Sequence, residues 1–148
     1  MTMKRDVESD MGQTARRFDM ALPSSDIAVS IARSLVRRIT TFASDDAESS
    51  FLIALTEVVG NAVDEHRAAA LATPIVNVVD YDEHDVVRVV DQGRGMGANV
   101  RSTPPPSAAA ESGRGLALAR AFVPDMTFDS SDAGTTVTLP LAGLGIIR

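Results

Sequence analysis

Leu55-Thr-Glu57-Val-Val-Gly-Asn61-Ala62 is the stretch on which the fold turns. Phe51, Leu55, Val58 and Ala62 recur at helical spacing and form an apolar stripe. Glu57 and Asn61, one turn apart, share a different face of the same helix. An asparagine carbonyl is a hard oxygen ligand. It suits Mg²⁺, which takes few protein ligands and completes its shell with phosphate oxygens and water. A glutamate one turn away can accept a proton from a water or hydroxyl attacking a γ-phosphate. Gly60 leaves room for close approach. Taken singly, such a pair is most often a solvated couple on an amphipathic helix, so its meaning depends on its neighbours.

Outward toward the N-terminus, Asp45 with Glu48 reads as a capping box that starts this helix, which is expected to end near Ala70 before Pro74. Ser24, Ser25 and Asp26 offer caps for an earlier helix with Ile27, Ile31, Leu35 and Ile39 as its buried stripe. Arg33, Arg37 and Arg38 give that helix a basic outer face. Phe18, Met20 and Leu22 alternate with Asp19 and Ala21 in a half-buried strand that stops at Pro23. Residues 1–15 are polar without period and are expected to form a disordered tail, leaving one domain over 16–148.

Outward toward the C-terminus, Ile75 to Val79 and Val86 to Val90 are β-branched runs that predict a hairpin, the second strand delivering Asp91. An ionised aspartate only accepts hydrogen bonds, so Asp91 complements the exocyclic amine of adenine. Gly93 and Gly95, followed by Met96, let a flat base lie against the backbone. The irregular stretch 97–112 contains Pro104-Pro-Pro106 and is long enough to be a functional loop. Gly113-Arg114-Gly115 opens a helix over Leu116 to Phe122. Its free N–H groups, with the Arg114 charge, suit an anion. Met126 and Phe128 suggest a strand, 132–134 a turn, and Thr135 to Leu141 a last strand whose first threonine can help hold the base. This order predicts an α+β protein: a two-layer α/β sandwich with a mixed, mainly antiparallel sheet and helices on one face.

Composition narrows the chemistry. The chain has 148 residues and a net charge of −6, which argues against direct DNA binding. It has no cysteine, which excludes disulfides and thiolate metal sites. Lys4 is the only lysine against thirteen arginines, so a P-loop is excluded. The glycines Gly93, Gly95 and Gly97 follow the acid rather than precede it, which excludes a Rossmann fingerprint. His66 and His84 stand alone and are read as structural. No stretch has the length of a membrane span or a signal peptide, so a cytoplasmic protein is expected.

Together the segments resemble a known family. Leu55 to Ala62 resembles the N box of the gyrase, Hsp90, histidine-kinase and MutL ATPases, whose domain has the Bergerat ATP-binding fold. Asp91-Gln-Gly93-Arg-Gly95-Met96 resembles their first glycine box, Gly113-Arg114-Gly115-Leu116 the second, and Gly134-Thr135-Thr136-Val137 the final Gly-Thr strand. A chain of this length without a phospho-accepting hairpin or transducer resembles bacterial anti-sigma factors that are also serine/threonine protein kinases. That resemblance implies ATP and Mg²⁺ as cofactors. It implies a sigma factor of RNA polymerase and a small anti-sigma antagonist as partners, a homodimer, and a role in transcription regulation under stress. Glu57 would be the general base, Asn61 the Mg²⁺ ligand and Asp91 the adenine reader. Gly113 to Leu116 would cradle phosphates beneath a lid over 97–112, and Arg33 or Arg37 would contact partners. Many relatives carry a basic residue four positions after the asparagine; here Glu65 stands there, with His66 next. This leaves two other readings open: a nucleotide-gated binding module without efficient phosphotransfer, and a switch kinase that activates a phosphatase.

Overall fold

The computed structural model describes residues 2–10, 13–80, 85–93 and 111–147, with side chains for 19–75, 85–93 and 116–147. Its longest element is the helix α2, Asp45–Ala68, which supplies much of the core through Phe51, Leu52, Leu55, Val58, Val59, Ala62 and Val63. In chain order the other elements are β1 (Thr2–Asp10), β2 (Gln13–Leu22), α1 (Ile27–Ile39), β3 (Thr40–Phe42), β4 (Ile75–Asp80), β5 (Val86–Asp91), α3 (Glu111–Phe122), β6 (Thr127–Ser131), β7 (Gly134–Pro140) and β8 (Gly145–Ile147). Six strands form one sheet in the order β1-β2-β4-β5-β7-β6, and β3 pairs with β8. Among the described residues every pairing is antiparallel, so the sheet is more uniform than the mixed one expected. The helices pack on the sheet through α2 against β5 and α1 against β2, with α1 and α3 flanking α2. The two-layer α/β sandwich of the α+β class is therefore the observed fold.

Alternation fixes which side of each strand faces the helices. Val87 and Val89 on β5 and Val137 and Leu139 on β7 are buried. Register sets Val89 opposite Val137 and Val137 opposite Phe128, making one apolar row across three strands. The next inward row is Asp91, Thr135 and Ser130, all buried and all polar. The core thus ends in a polar rim at one end of β5.

The helices depart from expectation in instructive ways. Ser44, not Asp45, caps α2: its hydroxyl accepts from the Ala47 amide at 3.0 Å. A serine one residue upstream puts its oxygen within reach of that amide, while Asp45 stands in the first turn and favours the helix dipole. On α1 the fully buried positions are Ala28, Ala32 and Val36, while Ile27 is 58% exposed. Ile31, Leu35 and Ile39 border the core. Small residues permit close approach, so they take the seam and the larger isoleucines flank it. Helix α3 begins at Glu111, not at Leu116, so Gly113 lies in its first turn and Gly115 at the start of its second. Burial of Leu116, Ala119 and Val123 beside α2 holds it, which offsets the roughly 1 kcal/mol cost of each helical glycine.

Within the stretch 1–15, Thr2–Asp10 form strand β1, paired along its length with β2, which begins at Gln13. Its register sets Lys4 opposite Asp19 and Asp6 opposite Arg17. A strand of polar sequence suits a sheet edge. Strands β3 and β8 were not expected.

Helix α2 ends with Ala70 at φ 55°, the Leu71 amide bonding to His66 O and the Ala70 amide to Arg67 O. This two-bond motif usually places glycine at the left-handed position. Ala70→Gly is expected to raise stability by about 1 kcal/mol in denaturant titration. Phe51→Ala, which empties a fully buried ring site 6.0 Å from the Phe42 ring, is expected to cost about 3–5 kcal/mol by the same measurement.

Candidate functional site

Asp91 is the last residue of β5 and is 3% exposed. A buried carboxylate must be hydrogen-bonded or it is very costly. Its Oδ1 accepts from the Gly93 amide at 2.9 Å. Burial pushes its pKa above the ordinary carboxylate value, while the Gly93 and Thr135 backbone bonds pull it back. The surrounding backbone is fitted closely. A Cβ on Gly134, where φ is 137°, would meet the Asp91 carbonyl oxygen at 2.0 Å. A Cβ on Gly93 would meet the Cβ of Glu65 at 2.8 Å. Thr135 stands opposite Asp91, buried, its hydroxyl 2.9 Å from that of Ser130.

Asn61 is 5% exposed on α2, and its Oδ1 has no hydrogen-bond partner among the described residues. A buried acceptor left open in this way costs free energy unless something fills it. Glu57 is half-buried one turn earlier, and a Cβ on Gly60 would meet nothing within 4 Å. The donor set fits Mg²⁺: a neutral amide oxygen is a hard ligand. No group of three or more His, Asp or Glu among the described residues could hold a metal. Mg²⁺ typically takes one or two protein ligands and completes its shell with phosphate oxygens and water.

The two clusters meet through α2. Glu65, one turn beyond Asn61, lies beside Gly93, next to Asp91, and His66 follows it. A model of the histidine kinase-like ATPase domain matches residues 22–141. The chain belongs to the histidine kinase-like ATPase domain family. No curated protein gives a match. Among the described residues no helix is long and apolar enough to cross a membrane.

The remaining expected site residues divide as follows. Leu116 is fully buried in α3, against α2, and so belongs to the core. Gly113 and Arg114 are in the first turn of that helix and Gly115 opens the second. Gly95, Met96 and most of the expected lid lie outside the described residues, as does His84. Arg33 donates to Leu52 O at 3.2 Å and to Thr56 Oγ1 at 2.7 Å, tying α1 to α2. Arg37 pairs with Glu48 at 3.3 Å and is mostly exposed. Sequence reasoning gave His66 no site role, yet its Nε2 accepts from the Gln92 amide at 3.0 Å, beside Asp91. The signal was available: the stripe of Leu55, Val59 and Ala62 reaches position 66 at the next helical step.

The raised pKa of Asp91 has a stability consequence. A raised folded-state value means stability present at low pH and lost as pH rises through that value. Asp91→Asn removes this loss while keeping an acceptor for Gly93. Without ligand, the variant is expected to melt above wild type near neutral pH, the gap closing below the carboxylate range in a melting series.

Proposed function

We propose that this chain binds Mg²⁺-ATP and acts as an anti-sigma factor that also phosphorylates a small antagonist on serine or threonine. The observation that carries the nucleotide reading is the buried, unpartnered Oδ1 of Asn61 on the helix whose far end meets Gln92 and Gly93, next to Asp91. Asp91 would accept a hydrogen bond from the adenine amine, which compensates the burial that raises its pKa. Thr135 and the glycines at 93 and 134 keep the wall beside it narrow. Asn61 would hold Mg²⁺, which neutralises phosphate charge. The first turn of α3 would offer its free N–H groups to phosphate oxygens. Glu57, on the Asn61 face, would take the proton of the attacking serine or threonine hydroxyl as the γ-phosphoryl group leaves ADP. Sequestering a sigma factor of RNA polymerase rests on family resemblance, with Arg37 on α1 as an exposed contact.

One observation favours a second reading. Glu65 stands where relatives carry a basic residue, and it packs against the base-binding end of the site, beside Gly93. A carboxylate there gives no charge to phosphate, which fits a nucleotide-gated binding module. A switch kinase acting on a phosphatase would share every feature of the site.

Calorimetric titration with Mg²⁺-ATP and a phosphotransfer assay with candidate antagonists separate these. Asn61→Ala is expected to abolish Mg²⁺-dependent ATP binding. Glu57→Ala is expected to keep binding and to slow phosphotransfer about 10²–10⁴-fold. Equal transfer by Glu57→Ala and wild type would remove Glu57 as the base. Pull-down of a phosphatase in place of a sigma factor would overturn the anti-sigma role.

A further inference from the structure

His66 is fully buried near the C-terminal end of α2, and every ring nitrogen has a partner. Nε2 stands 3.0 Å from the Gln92 backbone nitrogen. A backbone amide only donates, so Nε2 is the acceptor and the proton of the neutral ring sits on Nδ1. Nδ1 lies 2.9 Å from Ser24 Oγ and 3.0 Å from Thr73 O. The Ser24 hydroxyl in turn donates to Thr73 O. One imidazole therefore joins the head of α1, the segment before β4 and the residue after β5.

The bond to Gln92 falls at a sensitive place. The peptide between Asp91 and Gln92 is gripped on both sides: its carbonyl against Gly134, its N–H by His66. The next amide, from Gly93, is committed to the Asp91 carboxylate. The held peptide fixes the backbone from which the Asp91 side chain departs and sets the course of the chain to Gly93, whose amide bonds the carboxylate. With Nε2 removed, the Gln92 amide loses its acceptor and one of the restraints that place the Gly93 amide against the carboxylate is gone.

We infer that His66 is a positioning residue for purine specificity: by holding the Gln92 amide, it orients Asp91 to accept from a 6-aminopurine and to disfavour a 6-oxopurine. The inference rests on the nucleotide reading above. Its chemical content is narrower, because it concerns discrimination at the base and not affinity for phosphate or metal.

The test compares two polar substitutions in the full chain. Glutamine places its amide near the position of Nε2 and can still accept from Gln92. Asparagine is shorter; it keeps a group near Nδ1 for Ser24 and Thr73 and leaves the Gln92 amide without an acceptor. Binding of Mg²⁺-ATP and Mg²⁺-ITP is measured by calorimetry for wild type, His66→Gln and His66→Asn, with thermal melting to establish that each is folded. Wild type is expected to prefer ATP. His66→Asn is expected to lose roughly tenfold of that preference, the scale of one lost part-buried hydrogen bond, with ITP affinity little changed. His66→Gln is expected to restore most of it. A folded His66→Asn with the wild-type ATP/ITP ratio, or equal losses in both variants, overturns the positioning role while leaving the nucleotide reading intact. Failure of wild type to bind ATP overturns both.

Discussion

A carboxylate buried at the end of β5 constrains everything around it. Asp91 is removed from water, and an ionised group so placed must be met by donors held in fixed positions. The Gly93 amide and the backbone of Thr135 meet it, and the neighbouring strand comes so close that residue 134 has no room for a side chain. The polar row Asp91, Thr135 and Ser130 continues the apolar row Val89, Val137 and Phe128 by one step of register. The same pleat that fills the core thus turns polar where a ligand would enter. In a family of ATPases, a carboxylate whose burial is only partly compensated is suited to a ligand that brings hydrogen-bond donors.

Helix α2 couples that end of the sheet to the rest. Its apolar residues bury the core, and its second half carries Asn61, Glu65 and His66 to the rim. Apolar burial is non-directional and tolerates small shifts. The polar contacts at the rim are directional and do not. The left-handed turn at Ala70 lets the Leu71 amide bond to His66 O and redirects the chain toward Thr73, which His66 then contacts. The helix end and the site are therefore one piece of structure.

Several elements were legible because their signals are local. The stripe Phe51, Leu55, Val58 and Ala62 gave α2, and the two valine-rich runs gave the hairpin that delivers Asp91. Other features were not, each for a stated reason. Ile27 scored as buried by spacing, but alanines took the seam because only small side chains allow close helix contact. The start of α3 was placed late because glycine opposes helix locally, whereas packing of Leu116 and Ala119 against α2 decides the outcome. Strand β1 has no apolar period of its own and exists by pairing with β2. The short pair β3 and β8 joins segments about a hundred residues apart, a contact no local window contains.

The sequence by itself determined the periodicities, the order of the three helices and of strands β2 and β4 to β7, and the spacing of Glu57 from Asn61, since these depend on backbone geometry within a few residues. It also excluded a P-loop, because a single lysine leaves no candidate. Tertiary structure alone decided which groups meet. Glu65 against Gly93, Gly134 against the Asp91 carbonyl, and His66 beneath the Gln92 amide are contacts between segments 26 to 43 residues apart. A histidine on an apolar stripe looks the same in sequence whether or not a backbone amide lies across from it. The reason is physical: a hydrogen bond needs a distance and a direction, and those exist only once the sheet has brought the end of β5 against α2.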